Sequence, residues 1–105
     1  MITRCAVLQG SVPADQQAAF DKCMRETVVP ALRTYPGIRE VRLRRQVQAD
    51  EGVVPVYMVF DLVFDDLAAM DAALASPTRQ AVRSHMAEAM KDFQGKVVHR
   101  VFEDA

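Results

Sequence analysis

The hydrophobic pattern of the chain is plainest from Pro55 to Phe64, Pro-Val-Tyr-Met-Val-Phe-Asp-Leu-Val-Phe, where β-branched and aromatic residues alternate. Val56, Met58, Phe60, Leu62 and Phe64 fall on one face, while Tyr57, Val59, Asp61 and Val63 fall on the other. The first face is apolar without exception and predicts a surface roofed by helices. Burying each large apolar side chain there is worth about 1.5–3 kcal/mol. The segment is therefore predicted to be a central strand.

Ile2 to Gln9 reads as a shorter strand with faces Ile2/Arg4/Ala6/Leu8 and Thr3/Cys5/Val7/Gln9, closed by Gly10. Neither face is cleanly polar, which suits a second central strand. A turn through Pro13 leads into a first helix running to about Thr34. Phe20, Cys23, Met24, Thr27, Val28, Ala31, Leu32 and Tyr35 form its apolar stripe, and Asp21, Lys22, Arg25 and Arg33 fall mostly outside it. Pro30 predicts a bend or a division of that helix.

Residues 37–48 form a second strand, with Val41, Leu43, Arg45 and Val47 on one face and Glu40, Arg42, Arg44 and Gln46 on the other. So polar a face predicts a sheet edge. The loop 49–54 allows a hairpin into the central strand.

Asp65 and Asp66 signal a helix start, and Leu67, Met70, Ala73 and Leu74 carry its apolar side. Ser76 as cap and Pro77 at the first position predict a restart, with Val82, Met86, Ala89, Met90 and Phe93 continuing the stripe to Gly95. Lys96 to Glu103 is the last strand. The order strand, helix, strand, strand, helix, strand predicts one α+β domain over residues 1–105. Its architecture is ferredoxin-like, a four-stranded antiparallel sheet with the helices on one face.

Two helices cover one face of such a sheet. The other would expose Tyr57, Val59 and Val63 with Val7, or Ala6 and Leu8, beside them. A patch of this kind predicts a homodimer in which two sheets enclose a shared core. Asp61 on that face needs a partner, and strand pairing puts Arg42 or Arg44 opposite it, depending on register. The set admits two readings. One is a charge pair that fixes register at the dimer interface; the other is a polar floor for a small acidic ligand, with Tyr57 as hydroxyl donor.

Thirteen basic and fourteen acidic residues leave a formal charge of −1, so no global field recruits nucleic acid or anionic lipid. The central strand also lacks the basic-Gly-aromatic signature of RNA-recognition domains. No stretch approaches a membrane span and no signal peptide opens the chain, so a cytoplasmic protein is the simplest expectation. Cys5 and Cys23 have no metal-ligand spacing and read as reduced core thiols. There is no phosphate-binding glycine loop and no nucleophile elbow, and no cofactor is implied. Of the two histidines, His85 borders the helical stripe. His99 alternates with Val97 and Val101 on the last strand, and the pattern leaves open which face of that strand lies under the helices. If His99 faces the helices, it is the general-base candidate of the chain.

Phe20 through Ile38, Phe-Asp-Lys-Cys-Met-Arg-Glu-Thr-Val-Val-Pro-Ala-Leu-Arg-Thr-Tyr-Pro-Gly-Ile, resembles the first helix and turn of the EthD family within the dimeric α/β-barrel superfamily. The stretch from Val59 through Pro77 is similar to that family's third strand and following helix, including the Ser-Pro restart. The resemblance implies a homodimer with a pocket between sheet and helices in each subunit, where relatives bind small, often aromatic or cyclic organic molecules. It further implies catabolic chemistry such as ether degradation or lactone isomerisation. The position of the family's helix histidine is Val28, so that imidazole is not carried over. Three expectations follow. The first is a small cofactor-independent catabolic enzyme or accessory protein, moving a proton with His99, Tyr57 and the Arg42/Arg44–Asp61 set near the pocket. The second is a non-catalytic small-molecule-binding module, and the third a structural dimer.

Overall fold

A computed structural model describes residues 1–105. The elements are β1 (Ile2–Ser11), α1 (Gln17–Cys23), a π-helical turn (Met24–Val28), α2 (Val29–Leu32), β2 (Glu40–Arg45), β3 (Val56–Phe64), α3 (Leu67–Leu74), α4 (Thr78–Ala89) and β4 (Gln94–Glu103). The sheet runs β2-β3-β1-β4 with every neighbouring pair antiparallel. This is the ferredoxin-like order, with β3 and β1 central and β2 at an edge as their patterns predict.

The alternation in β3 decides how the layers pack. Met58, Phe60, Leu62 and Phe64 are buried with Ile2, Ala6 and Leu8 of β1 on the side that meets the helices. Phe20, Met24, Val28, Leu32, Met70, Ala73 and Val82 close the core from above. Helix-forming stripes and a strand-forming alternation thus converge on one apolar layer.

Pro30 does not divide the first helix. Proline has no N–H and crowds the carbonyl four residues back. The chain accommodates this in a π-turn just before it, where the Val29 N–H reaches the Met24 carbonyl. Val28 sits in that turn, fully buried. Thr27, expected in the apolar stripe, is exposed, and Asp21, expected outside it, is buried.

Other boundaries moved for local reasons. The Asp66 side chain accepts from the Ala69 N–H, as expected of an N-cap. Ser76 does not cap α4; its hydroxyl donates backwards to the Ala73 carbonyl at 2.6 Å and closes α3 instead. The β2 ladder ends at Arg45, leaving Val47 exposed in the loop. Gly95 lies inside β4, opposite Gly10 of β1. A Cβ on Gly95 would meet the Gln9 carbonyl oxygen at 2.0 Å, and one on Gly10 would meet that of Gln94 at 2.0 Å. The two strands approach here as only glycine permits.

Candidate functional site

Helices α3 and α4 leave the β1–β4 side of the sheet incompletely roofed. The result is a cleft of about 490 Å³ between α4 and the sheet. Leu32, Phe60, Leu62, Val82, Met86 and Val97 supply most of its apolar wall, and polar groups enter it from three elements. Arg4 comes from β1, His99 from β4, and Arg79 and Arg83 from consecutive turns of α4. Tyr35, just after α2, completes the polar set.

Strand pairing explains the first two. Ala6 pairs with His99 and Arg4 with Val101, so Arg4 and His99 are diagonal neighbours on the helix-side face. This resolves the face of β4 that the sequence pattern left open. His99 is exposed to solvent on its open side, yet partial desolvation in the cleft holds its imidazole below its ordinary pKa, and the positive charges of Arg4 and Arg79 push the same way. His99 is therefore neutral at pH 7, able to accept a proton. Burial likewise lowers Arg4, helped by the Arg79 charge. It raises Tyr35, against which Arg79, Arg4 and Arg83 pull. His85 is exposed on α4 and does not line the cleft.

The other predicted site residues lie elsewhere. Arg42, Arg44 and Asp61 occupy the helix-free face, where they line a hollow of about 230 Å³ with Thr3, Cys5, Val63 and Phe102. Arg42 is the cross-strand partner of Asp61, but Arg44, two residues along, makes the ion pair at 2.7 Å. The Arg42/Arg44–Asp61 set is thus on the far side of the sheet from the cleft, and its expected place near the pocket is corrected. Asp61 is 4% exposed, and its Oδ1 has no hydrogen-bond partner. Burial pushes the neighbouring Cys5 thiol up to about 11, and the Asp61 carboxylate adds to the effect.

Tyr57 is also corrected. The β1–β3 register shifts between Leu8, paired with Met58, and Gln9, paired with Val56, so Tyr57 is the extra residue of a bulge. Its ring turns toward the helices and meets Phe20 edge-on at 5.4 Å. Its hydroxyl donates to Asp21 Oδ1 at 2.6 Å. Arg45 lies 5.9 Å over the ring and reaches Asp21 Oδ2 at 3.5 Å. Burial and the Asp21 hydrogen bond raise the phenol to about 12. Tyr57 thus belongs neither beside Asp61 nor in the cleft; it fastens α1 to the edge of the sheet.

The cleft arginines and Tyr35 were not anticipated. One signal was available, an arginine on the otherwise apolar face of β1. The i, i+4 pair Arg79/Arg83 flanking the α4 stripe was another. No group of three or more His, Cys, Asp or Glu side chains is placed to hold a metal ion. No helix is long and apolar enough to cross a membrane.

No protein-family model matches the sequence, and no curated protein does. Solved structures do match. An ethyl tert-butyl ether D (EthD) family protein from Bacillus halodurans has a TM-score of 0.75 at 24% identity, covering 100% of this chain and 99% of that one. A DABB family protein with a ferredoxin-like fold from Mesorhizobium loti has a TM-score of 0.72 at 16% identity, over 99% and 97% of the two chains. A dimeric protein with a ferredoxin-like fold from Bacteroides fragilis has a TM-score of 0.67 at 13% identity, over 98% and 95%. At these identities the likeness establishes the ferredoxin-like fold over the whole chain.

Proposed function

We propose that this ferredoxin-like chain is a small cofactor-independent protein of organic catabolism. It takes a cyclic, aromatic or ether-containing molecule into the cleft beneath α4 and moves a proton on it with His99. The observation that carries this reading is the convergence of a neutral imidazole and three guanidinium groups on one largely apolar hollow. A neutral histidine abstracts a proton, and a nearby arginine stabilises the oxygen charge that develops. The EthD family membership of one structural neighbour supports the same class of substrate. A thermal-shift screen of cyclic and aromatic compounds identifies the ligand, because a cleft ligand stabilises by mass action. Turnover of that ligand by wild type but not by His99→Ala is the expected result. Unchanged turnover in His99→Ala would exclude the imidazole as base.

A second reading is a non-catalytic binding or structural dimer, favoured by Val28, which stands in the core where the resemblance places a histidine. In either case we propose a homodimer formed through the helix-free face. Val7, Val59, Val63 and Val98 are only half-buried there and Phe102 is exposed, around an Asp61 oxygen that lacks a donor. Dimeric structural neighbours support this assembly. Light scattering should give twice the monomer mass, and Asp61→Asn should weaken the association. A monomer at all concentrations would remove the proposal.

A further inference from the structure

Three arginines of the protein gather in the cleft without a carboxylate. The ion pairs of the protein engage Arg39, Arg42, Arg44, Arg45 and Lys91. Arg4, Arg79 and Arg83 are in none of them, and all three enter the cleft. No aspartate or glutamate lines it. Arg4 is only partly exposed, in the middle of a core-facing strand row between Ile2 and Ala6. A guanidinium in such a place ordinarily has a carboxylate beside it. Here its charged neighbour is another arginine, and burial first, then the Arg79 charge, lowers the pKa of Arg4. The Tyr35 hydroxyl makes no hydrogen bond within the chain and faces the same three cations.

We infer that the cleft is built for an ionised carboxylic acid of small size. Its carboxylate is held between Arg4 and Arg79 with Tyr35 as a further donor, and its apolar body lies against Phe60, Leu62 and Met86. This rests on the cleft being the ligand site, as proposed above, and adds the charge of what it holds. A planar guanidinium offers a carboxylate two parallel hydrogen bonds, and partial burial strengthens them. The anion supplies the counter-charge that the fold omits. It also acts on His99, which faces Arg4 from β1, Arg79 and Arg83 from α4, and Tyr35 after α2. Once an anion offsets the cations, the imidazole becomes a stronger base in the complex than in the free protein.

The test uses a matched pair of probes, 1-naphthoate and the uncharged 1-naphthalenemethanol, titrated into the full-length protein. Calorimetry reads affinity, and nuclear magnetic resonance of backbone amides and histidine rings reads location. The expected result is at least ten-fold tighter binding of the naphthoate, with shifts centred on α4 and β4. The His99 pKa should rise with naphthoate and not with the alcohol. Arg79→Gln should reduce the preference several-fold while leaving the alcohol's affinity alone, and Arg79→Lys should restore part of it. Equal or tighter binding of the alcohol in the cleft overturns the anion inference and leaves the cleft as a ligand site. Shifts centred on Arg42 and Arg44 overturn it by assigning the acid to the other face. Absence of any cleft shift with either probe removes the cleft itself as the site.

Discussion

Replacing Gly95 by alanine tests the closeness of β1 and β4 more directly than any core truncation. Gly95 has φ of +149°, and an added methyl group would stand 2.0 Å from the Gln9 carbonyl oxygen and 2.8 Å from the Gly10 Cα. Those atoms are backbone of the neighbouring strand and have no rotamer to change. The conformational penalty alone is about 1–3 kcal/mol. Relieving the overlap means opening the Gly10–Gly95 and Ser11–Gln94 pairs, with a loss of about 0.5–1.5 kcal/mol for each hydrogen bond. With one bond lost per pair the total is about 2–6 kcal/mol, a large fraction of the roughly 5–15 kcal/mol that stabilises a domain.

Gly37→Ala is the control. Its φ is +77° but nothing lies within 4 Å of the added Cβ, so only the backbone penalty of about 1–2 kcal/mol applies. Urea unfolding at fixed protomer concentration measures both, since association would make midpoints concentration-dependent. The Gly10→Ala/Gly95→Ala double variant should lose less than the sum of its parts, because the first substitution already opens the pairing. If Gly95→Ala loses no more stability than Gly37→Ala, the strands do not meet as described.

Three further outcomes are expected. Tyr57→Phe should destabilise by about 1 kcal/mol through the lost bond to Asp21. In the wild type, the raised phenol pKa makes its share of stability complete below pH 10 and lost as pH rises toward about 12; ultraviolet titration of the phenolate checks it. His99 has the opposite sign. Its folded pKa is below the unfolded 6.5, so unfolded chains bind the proton first and stability declines as pH falls from about 6.5; His99→Gln should flatten that slope in urea titrations. A thiol reagent at pH 8 should modify Cys23 before Cys5, whose thiol is buried and pushed up to about 11; mass spectrometry after brief labelling shows the order, and faster reaction at Cys5 would contradict its placement.

The element order and the division of β3 into a roofed and an unroofed face were legible because both rest on side-chain periodicity, which is local. The edge position of β2 followed from its arginines in the same way. What escaped were features set by pairing between segments. A bulge is a two-against-one match of strands, and no count along β3 alone reveals that Tyr57 is the extra residue. The placement of the arginines on opposite faces also depended on register: Arg42 and Arg44 alternate with apolar residues on β2, whereas Arg4 shares a row with Ile2, Ala6 and Leu8. The cleft joins groups from β1, β4, α4 and the segment after α2, distant in sequence. Arg4 read in isolation was an exception in an apolar row, and it gained meaning only when β4 brought His99 to its diagonal.

The bulge at Tyr57 carries one further consequence. By inserting a single residue into the ladder, it reverses inside and outside for everything on its N-terminal side, so Val56 shares the outward row with Gln9 while Tyr57 points inward. Deleting one residue at this point would leave the strand continuous and the composition nearly unchanged. It would nonetheless unlatch the Asp21 end of α1 and release the helix from the sheet margin. The attachment of this corner is therefore held by a count rather than by any one side chain, and a shortened chain should show it as fast amide exchange confined to α1.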